Sequence, residues 1–348
     1  MVKAIKETSG LWLFITPVKG INISDDMDGE IKVDKITFIS AKKIPRVRKR
    51  LGFPVKISEI CSNLRFGFAE FLEESETYAI CKLGGAGSEQ EKRFLELVRE
   101  ELCFLALSQL SYSRRKNNAQ LALVGEYKTG FVKWFMMNLG TQEKLSSSLR
   151  HGRVVELRID SHWRDFHRYG FYLDLVKIIF DDSGLCELGW RNDLRRAAYT
   201  IGKSQMSMDV PQAFLLNVIA LEVLLTSGDK ILESLPERVE AFIGWSSDWS
   251  IENYSERIKS IYKKRCGFVH AGKTDEITIN DLLFTDGVLV NVLYNIVKHI
   301  ELFKNKKSII DFSEKIQAEK LLGIRSKLRP KTFHFIKMHY SDEDFKRI

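Results

Sequence analysis

Two residues five apart, Arg265 and His270, bring together side chains suited to phosphate chemistry. An imidazole exchanges protons near neutral pH and a guanidinium holds and neutralises phosphate, so the pair suits general acid–base work on a phosphodiester. The spacing by itself carries little weight. With seven His and 22 Arg, about one Arg-x(4–6)-His match is expected by chance, and a second one, Arg329 to His334, is present. That second match contains Pro330 and lacks an apolar setting.

The surroundings single out the first match. Residues 211–226 read as a helix in which Phe214, Leu215, Leu216, Val218, Ile219, Leu221, Val223, Leu224 and Leu225 cover the whole circumference, the mark of a buried helix. Its one charge is Glu222, and a buried carboxylate needs a partner. A later helix, 254–270, carries Ile258, Ile261, Tyr262, Phe268 and Val269 on its apolar stripe. Arg265 falls on that stripe, whereas Lys259, Lys263 and Lys264 do not. An inward guanidinium is costly unless it is paired or used. On an ideal helix Arg265 and His270 stand ~140° apart, so convergence within one chain requires the helix end to bend or unwind, with Gly267 and Gly272 placed to allow it. The negative pole of the helix end favours a protonated His270, as a general acid requires. The bland alternative is a core salt bridge from Arg265 to Glu222 or Glu256, with His270 a satisfied helix-terminal residue.

The elements that position these residues divide the chain. Residues up to about 140 read as mixed α/β: strands at Leu11–Val18, Ile31–Ser40 and Tyr78–Leu83, then a helix over 89–110 opened by the capping form Ser88-Glu89-Gln90-Glu91. Strands near 120–126 and 131–137 are joined through Tyr127–Gly130 as a hairpin, and the serine-rich 140–152 reads as a linker. Val154–Ile159 alternates like a strand, and 161–180 is ambiguous. Beyond Gly189 only helices are expected, at 191–207, 211–226, 230–243, 254–270, 280–304 and 311–322. The fold class is therefore α+β: an N-terminal mixed α/β domain over 1–185, an all-α domain over 186–306, and a basic helical tail over 307–348.

Composition bounds the function. The 348 residues carry a net charge of +8. Residues 188–305 hold 14 Lys/Arg against 15 Asp/Glu, 1–187 hold 29 against 25, and 306–348 hold 11 against 6, so the basic excess flanks a nearly neutral segment. An anionic partner, RNA above all, fits this distribution. Uncharged apolar runs such as Pro211–Leu221 fall well short of the ~20 residues that span a bilayer, so no membrane association is expected. Five cysteines without a CxxC pair suit a reducing cytoplasm. No His/Cys/Asp/Glu set has metal-ligand spacing, and neither metal nor cofactor is expected.

The segments Ala-Leu-Glu-Val-Leu-Leu (220–225), Glu-Arg-Val (237–239) and Ile-Tyr-Lys-Lys-Arg-Cys-Gly-Phe-Val-His-Ala-Gly (261–272) resemble the HEPN superfamily, most closely its ApeA-like domains, across residues 190–305. The resemblance implies a helical bundle that homodimerises and joins two Arg-x4-His motifs in one composite cleft. It also implies a metal-independent endoribonuclease of the kind found in toxin and antiviral (abortive infection) systems. Carried over by position, Arg265 and His270 are the catalytic pair and Glu222 is a supporting residue. Cys266 departs from the polar residue that follows the arginine in many active members. The N-terminal domain would then sense a phage-derived or host trigger, restrain activity or select substrate. A different class of function, a non-catalytic HEPN dimerisation or RNA-binding scaffold, uses the same fold.

Other segments carry weaker signals. Lys264 and Lys273 flank the motif and could contact RNA. Lys42–Arg50, with Arg46 and Arg48, could track a phosphate backbone or form a solvated loop. His162–Tyr169 interleaves bases and aromatics in a way that suits stacking on unpaired RNA or amphipathic packing. Leu83–Ser88 has the glycines but not the lysine of a phosphate loop, and a plain turn is the expected reading.

Overall fold

The computed structural model describes residues 9–51, 71, 73–127, 130–137, 144–151, 155–181, 184–228, 230–324 and 328–345. The chain forms two compact units, one of residues 1–99 and 117–160, the other of 100–116 and 161–348. Residue 185, expected as a domain boundary, lies inside the second unit, and so do residues 307–345.

The first unit is built on a five-stranded antiparallel sheet of order β3-β4-β5-β1-β6. Its long central pair is β1 (Ser9–Lys19) and β5 (Thr77–Ala86), in register from Ser9 opposite Ala86 to Val18 opposite Thr77. β3 (Glu30–Lys32), β4 (Thr37–Ser40) and β6 (Ala122–Leu123) complete it. Ile39, Tyr78 and Ile80 form a buried cluster with Ile44 and Leu51 of α1 (Ile44–Leu51). Phe14 stacks on Phe94 of α2 (Gly87–Leu107) at 5.2 Å. β2 (Ile21–Ile23) pairs in parallel with β9 (Leu157–Ile159).

Three local expectations are corrected here. The hairpin partner of β7 (Gly130–Met137) is β8 (Lys144–His151), not the strand near 122, and β6 adds to β1 instead. The expected linker therefore contains a strand; the remainder of it and residues 128–129 lie outside the described residues. Serine-rich composition misled, because pairing depends on register and cross-strand neighbours more than on intrinsic preference. The glycine run is strand rather than turn: Gly84 and Gly85 pair with Leu11 and Gly10, and α2 opens at Gly87. Gly85, at φ 136°, also accepts a hydrogen bond from Trp12 Nε1 at 3.0 Å.

The second unit is helical: α3 (Ser161–Tyr169), α4 (Tyr172–Phe180), α5 (Leu188–Met206), α6 (Val210–Leu225), α7 (Ile231–Ile243), α8 (Ser247–Ile251), α9 (Tyr254–Ala271), α10 (Ile279–Lys298) and α11 (Lys306–Leu321). The all-round apolar helix is α6, and it contacts α5, α7, α9, α10 and α11. Asp209 caps it, accepting from Gln212 N at 3.1 Å, and Pro211 occupies its first turn. Capping boxes at Thr278 and Asn305 start α10 and α11. Gly202 of α5 packs directly on α2, where a Cβ would lie 1.9 Å from the Cys103 carbonyl oxygen.

Past α11 the described residues are not helical, so the helical tail expected over 307–348 is helix only as far as Leu321, and part of the segment beyond lies along α10. Asn295 Nδ2 donates to His334 O at 3.0 Å and its Oδ1 accepts from His334 N at 3.0 Å. Asn291 repeats this with Ile336, at 3.0 and 2.6 Å. Four residues of helix rise ~6 Å and two of extended chain ~6.6 Å, so asparagines one turn apart match alternate peptides of the segment. Phe333 anchors it among Phe242, Phe303 and Phe312.

Two outcomes follow for stability. Gly202→Ala forces α5 off α2 and should cost about 2–3 kcal/mol, read by urea denaturation; an unchanged midpoint would deny the close approach. His167 is buried on α3 against Trp163 (4.6 Å) and Tyr172 (4.9 Å), and burial pushes its imidazole down from 6.5 to about 3. The unfolded chain then takes up this proton first, so stability should fall as pH drops from about 6.5 towards 3. His167→Phe should flatten that part of the pH–stability curve, and an unaltered slope would remove His167 as its source.

Candidate functional site

α6 and α9 contact each other, and their facing sides settle which partner Glu222 takes. Arg265 Nη2 donates to Glu222 Oε2 at 3.0 Å, and Nε stands 2.9 Å from Oε1 without hydrogen-bond geometry. The side chains are 19% and 14% exposed. Glu256, the other candidate, pairs with Lys259 at 2.7 Å. The guanidinium also lies 5.8 Å from the Tyr262 ring centre, and burial raises the Tyr262 hydroxyl.

His270 stands apart from this pair. α9 stays regular through Ala271 and is closed by Gly272, whose left-handed φ of 65° turns the chain so that the following Lys273 N–H reaches back to Gly267 O at 3.3 Å. The bend expected near Gly267 is absent, because the left-handed cap ends the helix one residue beyond His270 and leaves the preceding turn intact. Arg265 is turned in to Glu222, whereas His270 is exposed in the last turn, roughly 7.5 Å further along the axis. One chain therefore does not bring the two side chains of the motif together.

The surface beside the pair is apolar and incompletely covered. Leu215, Leu216, Ile219 and Val223 share one half-buried face of α6 with Glu222. Tyr262, Cys266 and Val269 share the corresponding stripe of α9 with Arg265, and Val269 is 49% exposed. Lys264 is engaged with Asp281 at 2.8 Å, the carboxylate that also caps α10 at Thr278. Lys273 is exposed just past Gly272.

The other sequence candidates lie elsewhere. The basic run 42–50 is mostly helix α1, with Lys43 paired to Asp28 at 3.0 Å and Arg50 donating to Glu30 at 2.9 Å. Arg46 is exposed on that helix and Arg48 lies on it. In α3, Trp163 and His167 are core residues, whereas His162, Arg164, Phe166, Arg168 and Tyr169 are exposed. Packing and an open aromatic face thus coexist on one helix.

Sequence reasoning missed a polar network inside the second unit. Asp286 Oδ1 accepts from Arg115 Nη1 (3.2 Å), Gln205 Nε2 (3.0 Å) and Asn217 Nδ2 (2.8 Å), and Arg115 Nη2 also donates to Ser204 O at 2.7 Å. Burial pushes the Asp286 carboxyl up and the Arg115 guanidinium down, each opposed by the other's charge. An aspartate within the apolar run 282–297 was the available signal.

Among the described residues no three His, Cys, Asp or Glu side chains are grouped to hold a metal ion, and no helix is long and apolar enough to cross a membrane. Comparison with protein-family models, curated proteins and solved structures finds no match to the chain.

The ion pair predicts a measurable coupling. Glu222→Ala leaves a largely buried guanidinium unpaired and should cost about 1–3 kcal/mol. A double-mutant cycle with Arg265→Ala, read by urea denaturation, should show the losses to be non-additive. Additive losses would mean that the pair does not interact in solution.

Proposed function

We propose that the chain is a metal-independent endoribonuclease of the HEPN type that works as a homodimer. The observation that carries this reading is Arg265, held by Glu222 at the edge of an incompletely covered apolar face with His270 exposed at the end of the same helix. That face suits a second copy of the chain. Such packing would let His270 and Arg265 from two protomers share one cleft, which a single chain does not achieve.

The reaction needs no group beyond these residues and the substrate. The 2′-hydroxyl oxygen of the RNA attacks the adjacent phosphorus while one imidazole accepts its proton. The P–O5′ bond breaks as a second imidazolium, from the other protomer, gives a proton to the leaving oxygen. The Arg265 guanidiniums neutralise charge building on the phosphoryl oxygens. The products are a 2′,3′-cyclic phosphate and a 5′-hydroxyl. Glu222 acts as a positioning residue that aims Arg265. Lys273, Arg46 and Arg48 are candidate backbone contacts, and Lys264 would have to leave Asp281 to join them. A nuclease of this kind is harmful to its host unless restrained, which suits an antiviral effector in the cytoplasm whose first unit responds to a phage-derived or host trigger.

The Arg265–Glu222 ion pair and its separation from His270 also suit the non-catalytic reading, a dimerisation or RNA-binding scaffold in which the arginine serves stability.

Purified wild-type, His270→Ala and Arg265→Ala proteins should be incubated with mixed cellular RNA in EDTA, with oligomeric state measured by sedimentation. The nuclease reading expects cleavage by the wild type leaving cyclic phosphates, and a loss of at least 100-fold in both variants. Equal cleavage by all three proteins, or a dimer that binds RNA without cutting it, would overturn the assignment and favour the scaffold.

A further inference from the structure

The second unit contains a cavity of about 550 Å³ that belongs neither to the Arg265–Glu222 pair nor to His270. Its size falls among pockets that take small organic ligands. Tyr112, Phe166, Tyr169 and Tyr294 are among the residues that line it. Phe166 and Tyr169 are exposed large hydrophobic residues of α3, and Tyr169 is 74% exposed. Exposed rings beside a cavity offer faces on which a planar group can stack.

The polar groups of the cavity have a definite order. Arg114, Lys337 and His339 are among its lining residues, and all three are exposed. Arg114 and Lys337 lean on Asp344 (3.4 Å) and Asp248 (3.1 Å), but each cation is 52% exposed, and such pairs are weak enough for a phosphate to compete. The buried Gln205 and Asp286 line the cavity as well, and the hydrogen bonds from Arg115, Gln205 and Asn217 hold Asp286 in place. A buried carboxylate beside a carboxamide is the kind of fixed polar edge that reads amino and ring N–H groups. Ser111 on the rim is held at φ 74°, a left-handed conformation uncommon for a residue other than glycine or asparagine and concentrated at ligand sites.

We propose that this cavity binds a nucleotide, with its base stacked among Tyr112, Phe166 and Tyr169 and its phosphate met by Arg114, Lys337 and His339. The same chemistry could come from a free nucleotide or from one unpaired residue of an RNA strand. Neither source depends on the ribonuclease reading, since binding here requires no cleavage.

Full-length protein should be titrated calorimetrically with the four ribonucleoside 5′-monophosphates, the matching nucleosides, inorganic phosphate and a single-stranded octaribonucleotide. At least one monophosphate should bind, about tenfold or more tightly than its nucleoside, and Phe166→Ala, Tyr169→Ala and Arg114→Ala should each weaken it by about tenfold. These three residues are exposed, and thermal melts will show whether each variant is folded. Binding of the octaribonucleotide alone, with the same dependence on Phe166, Tyr169 and Arg114, would support the site and identify an RNA strand as the source. Binding of neither, binding no tighter than inorganic phosphate, or binding indifferent to the three substitutions would overturn the proposal.

Discussion

α6 is apolar on nearly every side, and the architecture of the second unit follows from covering most of it. A sixteen-residue helix with one charge must be enclosed by apolar neighbours, and α5, α7, α9, α10 and α11 supply them. Its two polar side chains with buried partners then decide what lies around it. Asn217 reaches Asp286, and through it Arg115 and Gln205; Glu222 reaches Arg265. On an ideal helix these two positions are ~140° apart, so one helix supports a closed internal network on one side and a half-open ion pair on another. The internal network adds little net stability, because buried ion pairs barely repay their desolvation. Its removal one group at a time is costly, since each member would strand another.

The proposed chemistry depends on the second, half-open side. A guanidinium held by one carboxylate at the margin of an uncovered apolar face is positioned without being enclosed, so it stays available to a phosphate. His270 is placed differently, in the last turn of α9 two residues before the left-handed Gly272, which leaves the imidazole in water. A catalytic site built from these two elements has to be assembled between protomers, and a scaffold would not need to assemble it.

Irregular chain also contributes to the second unit. The segment after α11 pairs the backbone groups of His334 and Ile336 with Asn295 and Asn291 instead of a strand partner, because one helical turn and two extended residues have nearly equal lengths. The same segment supplies one wall of the aromatic cavity, so the proposed nucleotide site exists only where residues 336–340 are docked.

Periodicity and capping chemistry made most of the helical half legible in advance. The fully apolar circumference of α6, the inward place of Arg265 on α9 and the glycine stop at Gly272 are properties of local sequence, and local geometry reads them directly. The need of Glu222 for a partner was equally local. The identity of that partner was not: Glu256 is nearer to Arg265 in sequence, but Lys259 takes it, and only packing α6 on α9 brings Glu222 within reach. Strand pairing was poorly legible for the same reason. β8 looks like a linker until β7 lies beside it, and the glycine run after Leu83 looks like a turn until β1 extends far enough to pair with it. The Arg115–Asp286 network joins residues 171 positions apart, which no spacing rule connects. Sequence by itself determined the long helices beyond Gly189 and the groups that require partners, because propensity, period and burial cost act within a few residues. Tertiary structure alone decided who the partners are and where cavities remain, because those depend on which surfaces of distant segments are pressed together.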